Sequence, residues 1–164
     1  MERHHFETDL QALKNRLLNM GAMVEERVHG AIQALMERNL EGAEAIAHGD
    51  EEVNALQIEI DDRCLKLLAL QQPMASDLRL ITSAMKINAD LERIGDQAVN
   101  IAENAIKMLA APPLKPLIDL PRMAERAERM TRDSLDAFVR RDVTLAREVL
   151  SQDRQAVAFR QRVL

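Results

Sequence analysis

The sequence predicts an all-α protein of tandem antiparallel three-helix bundles, the second one truncated after its second helix. Three observations predict this fold: an aliphatic composition, apolar residues at helical spacing, and an internal repeat. Of the 164 residues only 2% are aromatic, and there are just 5 Gly and 5 Pro. This composition favours helices, because strands are enriched in aromatic and β-branched residues, whereas Gly and Pro interrupt helices.

Apolar residues that recur at alternating spacings of four and three predict the first long helix. The stripe predicts one helix over about residues 6–38, with a seam like that of a coiled coil. Its members are Phe6, Leu10, Leu13, Leu17, Met20, Val24, Val28, Ile32 and Leu35. Asn39 is expected to cap a short helix from Leu40 to His48, and Gly49 is expected to end it.

Two further long helices follow. Asp50 is expected to cap the second, which ends before Pro73. The predicted buried face of this helix consists of Val53, Leu56, Ile60, Cys64 and Leu67. The third helix is predicted over about residues 74–110, with a buried face of Leu80, Ala84, Ile87, Leu91, Ile94, Ala98, Ile101, Ala105 and Met108. Three long amphipathic helices with short connections are typical of an antiparallel bundle.

After a proline-rich segment, the sequence repeats its first unit at an offset of 103 residues. Identical pairs at this offset include Leu17 and Leu120, Ala34 and Ala137, Arg38 and Arg141, and Ala43 and Ala146. The repeat predicts helix, short helix, helix for the second unit, with Asp153 in the place of Asp50. We therefore expect a first bundle over residues 1–111, a linker over 112–119 and a partial second repeat over 120–164.

The partial second repeat leaves an apolar helix face that nothing else in the sequence covers. A second copy of the chain would cover this face, which predicts a homodimer. The alternative is that the chain is a fragment of a longer protein rather than a natural short form.

Charge and apolar content exclude several classes of function. The 22 basic and 27 acidic residues give a net charge of −5, so no basic excess indicates a nucleic acid or an anionic membrane as partner. The apolar run at residues 67–70 is far shorter than a membrane span, so no membrane insertion is expected. The single Cys64 cannot form an internal disulfide and is expected to be a small core residue. These features predict a cytoplasmic protein.

The third helix carries a polar stripe that could bind a metal. Its members follow at steps of four, four and three and are Glu92, Asp96, Asn100 and Glu103. The stripe lies opposite the apolar seam and faces outward. Two carboxylates one helical turn apart have Cβ atoms about 5–6 Å from each other and can share one hard cation. Spacing alone favours an ordinary solvated helix face.

Two other polar patterns carry less weight. Glu26 and His29 form the E-x-x-H ligand pair of di-iron bundles, but arginines replace both at the equivalent repeat positions, so His29 is expected at the surface or its boundary.

Residues 120–164 carry ten Arg and seven acidic residues, so their net charge is positive whereas that of the rest of the chain is negative. Glu125 and Glu128 precede arginines by four residues, which predicts a self-neutralised face. The opposite bias of the two halves predicts docking within or between subunits.

Two motifs resemble those of the PhoU family. The first is L-Q-Q-P-x-A-x-D-L-R over residues 70–79, and the second is D-L-E-R-I-G-D-x-A-x-N-I over residues 90–101. The resemblance covers essentially the whole chain. Members of that family consist of two three-helix bundles in tandem, and each bundle carries an E/D-x-x-x-D motif that binds iron or other metals on its outer surface. Here that motif is Glu92-x-x-x-Asp96, and its second copy would fall past Leu164.

The resemblance implies a non-enzymatic regulator of phosphate uptake and phosphate-starvation signalling. The implied partners are the ATPase subunit of a phosphate ABC transporter and a sensor histidine kinase. The implied cofactor is a metal ion or multinuclear cluster of iron, zinc, manganese or magnesium, held by Glu92, Asp96, Asn100 and Glu103. Two alternatives stay open: a metal-dependent enzyme that uses the acidic stripe, and a structural helical module that binds only protein.

Overall fold

The computed structural model describes residues 2–112 and 119–163, and the side chains of residues 5–112 and 119–153. This described part of the chain forms helices and no strand, which confirms the predicted fold class. The helices are α1 (Glu2–Met36), α2 (Leu40–His48), α3 (Glu51–Gln71), α4 (Ala75–Leu109), α5 (Asp119–Arg140) and α6 (Val143–Val163). None of them is long and apolar enough to cross a membrane. Most of the predicted linker, residues 113–118, lies outside the described residues.

Helices α1, α3 and α4 pack together as the first bundle, and the short α2 lies against α1 and α4. The core consists of the seam of α1 and the apolar faces of α3 and α4. On α3 the buried side chains are those predicted: Val53, Leu56, Ile60, Cys64 and Leu67. Cys64 is completely buried, so the prediction of a small core residue is confirmed.

The buried face of α4 differs from the predicted one. Ile87, Ile94, Ile101 and Met108 are only half-buried, whereas Asn88, Gly95 and Ala102 are fully buried. A Cβ added to Gly95 would lie 3.3 Å from Val53 Cγ1 and 3.6 Å from Val24 Cγ1. The smallest residues therefore mark the line of closest approach between helices, while the larger isoleucines flank it. The buried face of α4 is thus rotated about the helix axis relative to the face predicted from the largest apolar residues.

The caps of the first unit are partly as predicted. Asn39 Oδ1 accepts from the backbone N–H of Gly42 at 3.0 Å, and Gly49 ends α2. Asp50 is the N-cap residue of α3, as predicted, but its backbone is helical (φ −84°, ψ −8°) and its side chain makes no capping hydrogen bond. Its carboxylate instead accepts from Asn54 Nδ2 at 2.9 Å.

The turn between α5 and α6 copies the turn between α1 and α2. Arg38 and Arg141 both adopt the left-handed conformation, with φ of 55° and 56°. The next N–H donates to an alanine carbonyl in each turn, from Asn39 at 2.8 Å and from Asp142 at 2.9 Å. Asp142 Oδ1 then accepts from the Leu145 N–H at 3.0 Å, as Asn39 does from Gly42.

Beyond this turn the two units diverge. The predicted break at Asp153 is wrong, because α6 is continuous from Val143 to Val163. The equivalent of the helix-ending Gly49 is Gln152, which is compatible with a helix interior. At the other end of the unit, α5 begins at Asp119, inside the predicted linker.

The second unit packs on the first through α5 and α1. Leu135 of α5 fills the space above Gly21 of α1, where a Cβ would clash with it. Arg132 Nη2 lies 2.6 Å from Glu25 Oε2. The predicted pairs within α5 are therefore wrong in their partners, because Arg132 pairs across the interface and Arg129 lies nearest Asp133, at 3.9 Å. The oppositely charged halves of the sequence meet at this interface.

Candidate metal-binding face of α4

The predicted metal ligands lie along one outward stripe of α4. Asp96, Asn100 and Glu103 are exposed, and Glu92 is half-buried. The stripe is outward because Leu91, Gly95, Ala98 and Ala102, about 120° away around the helix, face the bundle interior.

The donor atoms of this stripe suit a hard cation in chemistry, since carboxylate and amide oxygens are the ligands of magnesium, calcium and manganese. However, no three His, Cys, Asp or Glu side chains of the described residues come together in a group that could hold a metal. The chain therefore offers the two carboxylates of Glu92 and Asp96, with the amide of Asn100 one turn further.

The rival E-x-x-H pair does not face the bundle interior. Glu26 and His29 are both exposed, and His29 Nδ1 lies 3.4 Å from Glu128 Oε1 on α5. The prediction that His29 is a surface or boundary histidine is confirmed. An inward-facing pair is what a di-iron core would require, so this motif does not build one here.

Asn88 is a buried polar residue that the sequence pattern did not reveal. Its Nδ2 donates to Gln57 O and to Asp61 Oδ1, both at 2.9 Å, and so ties α4 to α3. Its Oδ1 is buried and has no hydrogen-bond partner. The burial of Asn88 could have been predicted from its position, because it lies four residues after Ala84 and seven before Gly95, on the stripe of small residues.

Two arginines hold helix ends in the first unit. Arg27 donates from Nη2 to Ile46 O at 2.8 Å and from Nη1 to Gly49 O, at the C-terminal end of α2. Arg38 Nη2 donates to Leu109 O and Ala111 O, each at 2.9 Å, at the C-terminal end of α4. Each guanidinium places a positive charge at the C-terminal end of a helix, where it complements the partial negative charge of the helix dipole.

Cys64 is protected by its position in the core. Burial, and secondarily the negative charge of Asp61, raise the pKa of the Cys64 thiol to about 11. Because the pKa in the unfolded chain is about 8.5, the folded state keeps the thiol neutral over a pH range in which the unfolded state ionises.

We therefore expect the free energy of unfolding to fall as the pH rises from about 9 to about 11, by up to about 3 kcal/mol from this group. Below pH 8 the thiol is neutral in both states and contributes no pH dependence. Urea unfolding of the native chain and of Cys64→Ala across this range measures the difference. If the free energy of unfolding depended on pH equally in the two proteins, the raised pKa of Cys64 would be contradicted.

Comparison with known proteins decides the family. The family model described as "PhoU domain" matches two segments of the chain, residues 17–105 and 120–163. The chain belongs to the PhoU family. The two matched segments coincide with the first bundle and with the α5–α6 unit.

Relatives named as phosphate-specific transport system accessory protein PhoU homologs include proteins of Aquifex aeolicus and Pseudomonas putida. The Aquifex protein is 40% identical over 145 residues, which cover 88% of this chain and 66% of that protein. The Pseudomonas putida protein is 38% identical over 156 residues, covering 92% of this chain and 61% of that protein. The chain thus spans less than two thirds of the length of these PhoU proteins.

Solved PhoU structures share the fold. The crystal structure of PhoU from Pseudomonas aeruginosa superposes with a TM-score of 0.85 at 35% identity, covering 92% of this chain and 72% of that one. The regulatory protein PhoU of the phosphate transport system from Streptococcus pneumoniae gives a TM-score of 0.83 at 32% identity, covering 92% and 70%.

Proposed function

We propose that this PhoU-family chain is a cytoplasmic, non-enzymatic regulator of phosphate uptake and phosphate-starvation signalling. The observation that carries the proposal is the match of both units to the PhoU domain, together with relatives named as accessory proteins of phosphate-specific transport. The proposed partners are the ATPase subunit of a phosphate ABC transporter and a sensor histidine kinase. Regulation would be by contact between protein surfaces.

An apolar tip of the first bundle supports such contacts. Leu70 and Met74, at the turn between α3 and α4, are 77% and 80% exposed, and the neighbouring Leu78 is 42% exposed. Exposed apolar side chains that cluster at one place are typical of protein interaction sites. This tip lies within the first of the two PhoU motifs.

Deletion of the gene, followed by an alkaline phosphatase assay in phosphate-rich medium, tests the regulatory role. We expect raised phosphatase expression, restored to the repressed level by the native chain. A chain with Met74→Asp and Leu70→Asp is expected to fail to restore repression, while the matched exposed change Leu40→Asp on α2 is expected to restore it. Unchanged expression after deletion would overturn the regulator proposal.

Metal binding on the outer face of α4 is part of the proposal. Glu92 and Asp96, with Asn100 and Glu103, would hold an ion or cluster of iron, zinc, manganese or magnesium. The helical i, i+4 spacing of the two carboxylates and the exposure of Asp96 support this role. Elemental analysis of protein purified without a tag is expected to show retained metal that the pair Glu92→Gln and Asp96→Asn removes.

The control for this measurement is Asp90→Asn, which changes an exposed carboxylate of the same helix that lies 3.5 Å from Arg93 Nη1. This variant should retain as much metal as the native chain. Absence of all four metals from the native protein would refute the metal site and leave the regulatory role intact.

The homodimer also remains a proposal. Ile58 and Leu65 on the outer side of α3 are 67% and 56% exposed and lie seven residues apart, so they form an apolar stripe that a second copy would cover. Light scattering is expected to show a dimer that Ile58→Lys with Leu65→Lys converts to a monomer. A native chain that is already monomeric would contradict it.

A further inference from the structure

The contact between α1 and α5 takes two carboxylates largely out of water. The side chains of Glu25 on α1 and Glu128 on α5 are only 13% and 14% exposed. A carboxylate shielded from water needs hydrogen bonds or a neighbouring positive charge, because desolvation raises the free energy of its charged form. The way in which each charge is compensated therefore affects how tightly the two helices hold together.

The two carboxylates are compensated differently. Arg132 of α5 donates to Glu25 Oε2 from Nη2 at 2.6 Å and from Nε at 3.2 Å. Glu128 Oε1 is buried and has no hydrogen-bond partner. It faces the imidazole of His29 on α1, whose Nδ1 lies 3.4 Å away. Glu25 thus meets a permanent cation across the contact, whereas Glu128 meets a group that is a cation only when it is protonated.

The groups of α5 that face His29 favour a positive charge on it. A pocket of about 210 Å³ beside His29 is lined by Glu125 and Glu128 of α5. Arg132 lies one turn along α5 from Glu128 and attracts that carboxylate too, but its hydrogen bonds go to Glu25. A protonated His29 is therefore attracted to α5, whereas the neutral ring carries no charge to attract.

The acidic groups next to His29 on its own side of the contact act differently. Glu25 and Glu26 precede it on α1 by one turn, and Glu37 lies in the turn after α1 and lines the same pocket. These three belong to the same segment as His29, so they remain near it whether or not α5 is in contact. Coupling between the charge of His29 and the contact therefore comes from α5, mainly from Glu128. The side chain of His29 is 62% exposed, so it can exchange a proton with solvent.

We propose that protonation of His29 tightens the contact between α1 and α5, so that the packing of the two units responds to pH. A histidine gains its positive charge as the pH falls from about 8 to about 6, a range in which ordinary carboxylates keep theirs. The attraction to Glu128 is present at the acidic end of this range and is lost as the pH rises toward 8. This pH response goes beyond the regulatory role and would hold whether or not the chain regulates phosphate uptake.

Hydrogen–deuterium exchange of the full chain at pH 6 and pH 8, followed by mass spectrometry, measures this contact. The exchange rates are first corrected for the pH dependence of exchange in an unstructured chain. Peptides from the middle of α5 should then be protected about two- to fivefold more strongly at pH 6 than at pH 8, which is the effect of one partly exposed ion pair.

Two changes at position 29 fix its charge. His29→Gln is neutral throughout and should give the weaker protection at both pH values. His29→Lys is charged throughout and should protect α5 at pH 8 as strongly as the native chain is protected at pH 6. Glu128→Gln should remove the response by removing the partner. The matched control is His48→Gln on α2, where His48 Nδ1 lies 2.8 Å from Glu44 O, and this variant should keep the native response.

Equal protection of α5 at the two pH values in the native chain would overturn the proposal. A response that survives in His29→Gln or in Glu128→Gln, or that disappears in His48→Gln, would overturn it as well. The His29→Lys variant keeps the test valid if a neutral variant folds poorly, because it is expected to gain protection at pH 8. A His29→Lys chain that responds to pH as the native chain does would contradict the role of His29.

Discussion

Replacing Asn88 with aspartate is expected to lower the free energy of unfolding by about 3–5 kcal/mol at pH 7. The change replaces the Nδ2 donor, which is 2.9 Å from both Gln57 O and Asp61 Oδ1, with an oxygen that both would repel. It also puts a negative charge at a position that is completely buried. A buried, unpaired charge beside a like charge is among the largest destabilising effects of a single substitution.

The cost of Asn88→Asp should shrink as the pH is lowered, because a protonated carboxyl is neutral and can donate a hydrogen bond. Urea unfolding at pH 7 and at pH 5 measures this change, with the native chain as reference at each pH. Asp90→Asn, an exposed change on the same helix, is the control and should alter stability by less than about 0.5 kcal/mol. If Asn88→Asp lowered the free energy of unfolding by less than about 1 kcal/mol at pH 7, the burial and hydrogen bonding of Asn88 would be contradicted.

Replacing Leu17 with alanine is expected to lower the free energy of unfolding by about 2–5 kcal/mol. Leu17 is completely buried in the middle of α1, where the core of the first bundle surrounds it. The substitution removes apolar contacts and leaves a cavity that neighbouring helices can only partly fill.

Chemical unfolding monitored by circular dichroism at 222 nm gives this difference. Leu70→Ala is the matched control, since Leu70 is 77% exposed and its truncation should cost no more than about 0.5 kcal/mol. Equal losses for the two variants would contradict the placement of α1 in the core.

Much of the fold could be predicted because long helices bury residues at a regular spacing. The buried face of α3 and the bounds of α2 agree with the pattern, and the repeat at 103 residues correctly placed the turn at Arg141. The rotation of α4 could not be predicted, because it depends on how closely neighbouring helices approach Gly95. That approach is a property of two helices and is not contained in the spacing along one of them.

The polar contacts were harder to predict than the apolar ones. The pairing of Arg132 with Glu25 joins residues 107 positions apart, whereas the sequence favoured a partner four positions away. The side chain of Asp50 does not make the expected capping hydrogen bond, because the Asp50 backbone is helical. Residue type alone does not determine that backbone conformation. The stripe from Glu92 to Glu103 could be placed on an outward face, but the described residues bring no group of three His, Cys, Asp or Glu side chains together there.

The packing of α5 on α1 has a consequence for how the molecule opens. Helix α5 packs on α1 of the first bundle, and α6 packs on α5. The two helices therefore form one hairpin that is attached to the bundle through α5. The contacts that attach it include Leu135 above Gly21 and the pair of the exposed Arg132 with the half-buried Glu25. Amide hydrogens of α5 and α6 should therefore exchange with solvent together and earlier than those of α3 and α4. Release of the hairpin would expose Gly21 and the side of α1 around it.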